Sequence, residues 1–219
     1  MDILEAIQAR HSVRAYTDRK IEKEVREELD AFVEACNEDG GLNIRIHYDE
    51  PEGFDSRLAH YGKFRNVNNF IVLAGADGPD FEERCGYYGE KIVLKAQTLG
   101  LNTCWVASTY NHRAVKKLIE AGDRFCMVIA LGYGESEGNE RKSKSPEDVV
   151  VTKGTMPEWF RKGVEAALLA PTAINQQKFK IGIINGEPAI RVAGMGPHTK
   201  TDLGIVKYHF EAASGRKVY

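Results

Sequence analysis

A chain of 219 residues, 42% hydrophobic and 28% charged, is long enough to bury one substantial core. Lys and Arg total 30 against 32 Asp and Glu, and the net charge of -2 leaves no broad basic face for nucleic acid or anionic lipid. Apolar runs such as Phe70–Ala74 and Cys126–Leu131 fall far short of the roughly 20 residues a membrane helix needs. The start, Met1-Asp2-Ile3-Leu4-Glu5, lacks the basic and apolar regions of a signal peptide and points to the cytoplasm.

Ile3, Leu4, Ala6 and Ile7 recur at helical spacing up to Ala9, so a short amphipathic helix delivers the basic cluster that follows it, Arg10-His11-Ser12-Val13-Arg14. A second helix is expected from near Glu22 through Val25, Leu29, Phe32 and Val33 to Cys36, stopped by Gly40-Gly41. Leu42, Ile44, Ile46 and Tyr48 then alternate with polar residues, the period of a half-buried strand, before a turn at Asp49–Gly53. Phe70–Ala74 reads as a buried strand. Gly89 to Leu99 reads as a helix, with Gly100 where a left-handed helix end is wanted. Next come a strand at Thr103–Ala107, a short helix around Val115 to Ile119 and a strand at Cys126–Leu131.

From Gly138 to Gly154 the chain turns polar and reads as an exposed connection. Beyond it a helix runs from Pro157 to Leu169, then the segment Ala170–Gln177, a strand at Phe179–Ile184, a turn at Asn185–Pro188 and a helical run from Asp202 to Ala213. That order repeats an earlier one. Val33-Glu34-Ala35 matches Val164-Glu165-Ala166, Ile44-Arg45-Ile46 matches Phe179-Lys180-Ile181, and the helix near 202 echoes the one beginning at Gly89, which suggests an internal duplication. Alternating strands and helices predict an α/β or α+β sandwich.

Cys36, Cys85, Cys104 and Cys126 show no zinc or redox spacing and read as small buried hydrophobes. The six histidines fall at no metal-ligand spacing. Gly132, Gly134 and Gly138 match a dinucleotide-binding glycine loop poorly, because no amphipathic helix follows them. Arg10 and Arg14 could grip a phosphate monoester from adjoining turns, or be solvated surface arginines. Arg141-Lys142-Ser143-Lys144 forms a second basic group after a strand end, where ligand contacts are common, although on the residues alone a charged, mobile loop is the favoured reading. The small, hydroxyl and amide side chains of Ala170–Gln177 suit a ligand's polar edge; the plainer reading is a loop closing a helix.

Read together, RHSVRAY at 10–16, GYYGEKIVLKAQTLGLNTCWVAS at 86–108, MVIALGYG with KSKSPEDVV within 127–151, and APTAINQQ at 170–177 resemble the FMN-dependent nitroreductase family over most of the chain. The resemblance implies an α+β fold, a nitroreductase-like sandwich with a central, mostly antiparallel sheet flanked by helices. It implies FMN as cofactor and NAD(P)H as electron donor, with electrons passed to a small acceptor such as a nitroaromatic or quinone. The implied FMN contacts are Arg10, His11, Ser12 and Arg14; Trp105, Val106 and Ala107 along the ring; Lys142 and Lys144, or Arg141; and Thr172, Ala173, Asn175 and Gln177. No side chain is implied as a catalytic acid or base, and Tyr87, Tyr88, Trp105 and Tyr110 are candidates for capping the acceptor pocket, with core packing as the alternative.

The order departs from the usual one. Family members carry the small-residue and amide motif soon after the N-terminal cluster, where this chain has Asn37-Glu38-Asp39-Gly40-Gly41; here it comes only at 170. The resemblance therefore implies one nitroreductase-like domain over 1–219, with a first copy at 1–150 and a partial second copy at 157–219 that supplies the motif within the same chain. Such a chain would work as a monomer or a homodimer. Two further readings stay open: a flavin-holding domain without turnover, and a flavin-free structural relic.

Overall fold

The computed structural model describes residues 1–140, 142–152 and 154–218, and the chain divides into two compact units. One comprises residues 9–81 and 92–140, and the other residues 1–8, 82–91 and the chain from 141 onward. An antiparallel sheet in a chain of many helices meets the α+β expectation.

The first unit is built on a four-stranded antiparallel sheet in the order β1 (Arg45–His47), β2 (Asn69–Gly75), β4 (Arg124–Gly132), β3 (Asn102–Val106). Pairing sets Phe70 against Ala130 and Val72 against Val128, and on the other side of β4 Cys104 against Ala130 and Val106 against Val128. Side chains alternate faces along a strand, so these residues form one layer, packed with Val13, Tyr16, Phe54, Phe64, Val67 and Tyr110. Ile71, Leu73, Ile129 and Leu131 point the other way and are equally buried. Burial of both faces explains why β2 and β4 read as continuous apolar runs.

Helix α2 (Lys23–Gly40) ends as expected, with Gly41 in the left-handed region at φ 56° and its N–H on the Asn37 carbonyl. β1 is shorter than the alternation at 42–48 suggests. The Asn37 side chain satisfies Ile44 at both backbone groups, receiving its N–H at 2.7 Å and donating to its carbonyl at 2.9 Å, so Ile44 is buried outside the ladder. A single turn of 3-10 helix at Pro51–Gly53 and α3 (Arg57–Tyr61), capped by Ser56, lead to β2. The helix expected around 115–119 begins earlier, as α5 (His112–Lys116), because the Asn111 side chain caps it by accepting the Ala114 N–H.

The second unit holds α1 (Ile3–Ala9) as far as Gln8, part of α4 (Phe81–Thr98), α6 (Pro146–Val149), α7 (Glu158–Leu169), the hairpin β5 (Phe179–Ile184) with β6 (Glu187–Val192), and α8 (Thr199–Ser214). Asn185 and Gly186, at φ 53° and 86°, make the two-residue turn that Asn-Gly favours. The chain then continues into β6 where the sequence predicted only a turn. The polar stretch at 138–154 also contains an unforeseen element. Ser145 and Asp148 form a capping box around Pro146, and the short α6 buries Val149 completely.

Helix α4 starts eight residues before the expected Gly89. Gly86 and Gly89 depress local helix propensity, and packing overrides it. A Cβ on Gly86 would lie 2.0 Å from the Thr201 carbonyl oxygen and 3.2 Å from Ile205 N; a Cβ on Gly204 would lie 2.0 Å from the Glu83 carbonyl oxygen and 2.6 Å from Tyr87 N. The contacts are reciprocal: each glycine meets the residue three before, and the one just after, the other glycine. Such mutual contact marks a close helix crossing in which each glycine makes room for the other helix's backbone. Around this crossing, α7 buries Gly163 against the Phe210 ring, and His209 Nε2 lies 2.7 Å from Glu90 Oε1 with both side chains fully buried. His209 Nδ1 meets the Ala166 carbonyl at 3.1 Å and so carries the hydrogen there, tying α7, α8 and α4 together.

Candidate functional site

Two clusters of predicted site residues form, one in each unit. In the sheet unit the chain leaves α1 at Ala9, and residues 10–17 run beside β3 and the loop after β4. Ser12 pairs in parallel with Thr103, the Val13 N–H donates to the Thr103 carbonyl at 3.0 Å, and the Arg65 N–H donates to the Arg14 carbonyl at 2.9 Å. Below this segment Tyr16 is buried, its hydroxyl on the Val13 carbonyl at 2.7 Å.

This docking fixes the polar groups. Arg10 is buried, whereas Arg14 is exposed, with its guanidinium carbon 5.8 Å from the centre of the Phe64 ring. His11 Nδ1 donates to the Ala9 carbonyl at 2.9 Å, which orients the half-buried imidazole. Burial pushes the Cys104 thiol up, opposed by Arg14, the Ser12 hydroxyl and Arg10. Trp105 is half-buried, Val106 turns its side chain into the core, and Ala107 is exposed beyond the strand end. Gly138, at φ 84°, lets the following loop approach; a Cβ there would come within 2.8 Å of the His11 Cβ.

A charged clasp holds the end of this segment. The Thr17 N–H donates to the Tyr133 carbonyl at 2.8 Å, the Tyr133 hydroxyl donates to Glu22, and the Arg19 guanidinium sits 3.9 Å above the Tyr133 ring and 2.6 Å from Glu22. The Tyr133 hydroxyl, then Arg19, hold the Glu22 carboxyl down at about 2. A depressed carboxyl contributes stability above its ordinary value that is lost as pH falls through the folded one. Thermal scans between pH 5 and about pH 2 should show an acid-side loss in the native chain that is smaller in Glu22→Gln; equal slopes would refute the clasp.

In the second unit the structure joins the basic pair to the amide motif. Asn175 Nδ2 donates to the Lys142 carbonyl at 2.7 Å, Lys144 N donates to Gln177 Oε1 at 2.8 Å, and Lys144 Nζ donates to the Gln177 carbonyl at 2.8 Å. Gln177 Nε2 reaches Ser143 Oγ at 3.0 Å and the Leu168 carbonyl at 2.9 Å, and Thr172 Oγ1 accepts the Gln177 N–H at 3.0 Å. The Gln177 amide is thus spent within the chain. Arg141 lies outside the described residues.

The 174–177 loop is held in an uncommon conformation. Ile174, Asn175 and Gln177 have φ of 48°, 54° and 44°, and Ile174, β-branched, is 86% exposed. Asp202, which sequence reading placed only in a helix, anchors it: Oδ1 accepts the Ala173 N–H at 2.9 Å and Oδ2 the Gln176 amide at 2.7 Å. Burial pushes the Asp202 carboxyl up, opposed by these two donors and by His198. An acidic residue in a helix's first turn was the available signal, but its partners lie about thirty positions away in sequence.

Of the aromatic candidates, Tyr110 packs in the core against His112, ring centres 4.2 Å apart. Tyr87 contacts Tyr88 and Tyr208, and burial, then Glu211, raises its hydroxyl to about 12. Cys36, Cys85 and Cys104 are buried and Cys126 is half-buried. No helix of the described residues is long and apolar enough to cross a membrane.

The fold recurs in solved nitroreductases. A Thermotoga maritima structure described as a putative nitroreductase is 24% identical with a TM-score of 0.67, over 99% of this chain and 87% of that one. A structure from Parabacteroides distasonis described as a putative NADH dehydrogenase/NAD(P)H nitroreductase is 23% identical with a TM-score of 0.53, over 67% of this chain and 95% of that one. A Desulfovibrio desulfuricans structure, described as a putative nitroreductase in complex with FMN, is 17% identical with a TM-score of 0.53, over 72% of this chain and 99% of that one. These likenesses define the fold class, a nitroreductase fold. No curated protein matches the chain. The profile of one family, described as "Putative TM nitroreductase", matches residues 2–214, and the chain belongs to that family.

Proposed function

We propose that the chain is a flavin oxidoreductase that holds FMN, takes hydride from NAD(P)H and passes electrons to a small electrophilic acceptor such as a nitroaromatic or quinone. Membership of the nitroreductase family across residues 2–214 carries this reading. The donor set in the sheet unit fits a phosphate-bearing ligand: an exposed guanidinium on Arg14, a half-buried hydroxyl on Ser12 and an oriented imidazole on His11, with a buried Arg10 next in sequence. A phosphate monoester takes charge-assisted hydrogen bonds from such groups.

Bound FMN would supply hydride acceptance at its N5 and onward electron delivery. The chain's part is to bind and orient. Arg14, Ser12, His11 and Arg10 are assigned to the phosphate and ribityl chain, and the end of β3 at Trp105, Val106 and Ala107 to the ring, Val106 through its backbone alone. Lys142, Lys144, Thr172, Ala173 and Asn175 are assigned as further FMN contacts. Gln177 is assigned to position Lys144 and the loop, since its own amide is engaged. No side chain is assigned as acid or base.

The departure in motif order is read as a duplication, with 1–150 as first copy and 157–219 as a partial second copy in one domain. The reciprocal contact of Gly86 and Gly204 supports this; of the matched triplets, Val33 and Val164 are buried and Glu34 and Glu165 exposed, whereas Ala35 is exposed and Ala166 buried. A chain with both half-sites needs no second subunit for its motif.

The test is an absorbance spectrum after FMN reconstitution, followed by NADH or NADPH. A flavin band that bleaches supports the reading; no flavin uptake overturns it, and uptake without bleaching leaves a binding domain only. Ligand at 100 times its Kd adds about 2.7 kcal/mol of stability. Arg14→Ala is expected to lose most of the FMN-dependent rise in Tm while keeping its ligand-free Tm, because the Arg14 side chain is exposed.

A further inference from the structure

The sheet unit carries a cavity of about 370 Å³ that the flavin assignments leave unused. It falls within the roughly 300–1,000 Å³ typical of small-molecule sites. Its apolar floor is Phe54, Phe64 and Val67, with Phe54 and Phe64 edge to face at 5.0 Å between ring centres. The polar rim includes Asn66, Asn68, Asp55 and an ion pair, Arg65 Nη2 to Glu135 Oε2 at 2.9 Å. Asn66 sits at φ 52°, in the left-handed region that asparagine tolerates. An aromatic floor with amides at its edge suits a heterocyclic base, whose ring is apolar in face and polar in outline.

Charge narrows the class. The one guanidinium on the lining is already paired with Glu135, and Asp55 adds a second carboxylate; the other basic groups near the cavity are His60 on its lining and Arg14, 5.8 Å from the Phe64 ring centre and assigned to the flavin phosphate. A phosphate monoester brings about -1.5 to -2, whereas a ribose diol donates hydrogen bonds to a carboxylate. Arg65 engages Oε2 of Glu135, and Oε1 remains an acceptor among the described residues. We propose that this cavity seats the adenosine half of NADH, with the base over Phe54, Phe64 and Val67 and the ribose hydroxyls on Glu135, and that it thereby selects NADH over NADPH. The proposal rests on the reading of the chain as a nicotinamide-dependent reductase.

Calorimetric titration of the full chain with ADP-ribose and with 2′-phospho-ADP-ribose tests this without turnover. The native chain should bind ADP-ribose at least about tenfold more tightly than its 2′-phosphorylated form, one charge-assisted hydrogen bond's worth of discrimination. Glu135→Ala should weaken ADP-ribose about tenfold, and Glu135→Arg should reverse the preference; the pair is exposed, so both variants should keep the native Tm. Arg65→Ala should leave ADP-ribose binding intact. Equal affinities, unchanged binding in Glu135→Ala, or loss of binding in Arg65→Ala would overturn the proposal. A chain that takes up FMN but binds no ADP-ribose overturns it and leaves the flavin reading standing. Selective ADP-ribose binding without any FMN uptake supports the cavity assignment and removes the flavin reading instead.

Discussion

Gly204→Ala is expected to destabilise the chain by about 3 kcal/mol in equilibrium urea unfolding, at the upper end for an overpacked site. Two effects oppose each other. Alanine in a helix interior is worth about 1 kcal/mol over glycine, so on propensity alone the substitution would stabilise α8. The added methyl, however, would sit 2.0 Å from the Glu83 carbonyl oxygen and 2.6 Å from Tyr87 N. Both neighbours are backbone atoms of a helix, which cannot rotate aside as a side-chain tip can, so the helices must part and the contacts beside them loosen. Those include His209 with Glu90 and Lys207 with Glu83 at 2.6 Å.

Gly86→Ala should cost a similar amount, since its clash with the Thr201 carbonyl is the reciprocal one. In the double variant one separation relieves both clashes, so the cost should fall well short of the sum. A stabilising Gly204→Ala, or full additivity, would refute the close crossing.

Gln177→Ala is the second large effect, expected at about 3 kcal/mol because it removes three hydrogen bonds at once, at roughly 1 kcal/mol each, although the Leu168 carbonyl keeps Ser143 Oγ as a donor. Only 2% of Gln177 is exposed, and its amide serves Lys144 N, Ser143 Oγ and the Leu168 carbonyl. Alanine at φ 44° adds no relief, as it is no better suited than glutamine to the left-handed region. Gln177→Glu separates the roles further: a carboxylate can still accept from Lys144 N but sets an anion against the Leu168 carbonyl. It should therefore be no more stable than Gln177→Ala at neutral pH and recover as the carboxyl protonates. Unfolding midpoints of both variants from pH 4 to 8 would check this. A loss below about 1 kcal/mol in Gln177→Ala would mean that the loop holds itself without the amide.

Elements with strong local periodicity were legible from sequence. Helix α2 with its Gly41 stop, the buried strands β2 and β4, helix α7 and the Asn185-Gly186 turn carry their reasons within a few residues. Boundaries were misjudged for both local and long-range reasons, the Asn111 cap that starts α5 being local. Ile44 leaves its strand because Asn37 captures its backbone, α4 begins early because Gly86 packs where propensity advises against it, and α6 forms because Val149 finds a burial site. The last two were decided by residues far along the chain, whereas Asn37 stands only seven positions before Ile44.

The candidate site divides the same way. Sequence alone determined its chemistry: the basic and hydroxyl residues at 10–14, the lysines at 142 and 144 and the amides at 175 and 177, in a pattern that resembles one family. It also exposed the late position of the amide motif, because order along a chain needs no coordinates. Only the tertiary structure decided that Gln177 fastens Lys144, that Asp202 anchors the 174–177 loop, and that the helices carrying Gly86 and Gly204 cross in close contact at those two residues. The physical reason is range. Periodicity, capping and turn preference act over a handful of residues, whereas hydrogen-bond satisfaction and close packing act between atoms that only the folded chain brings together.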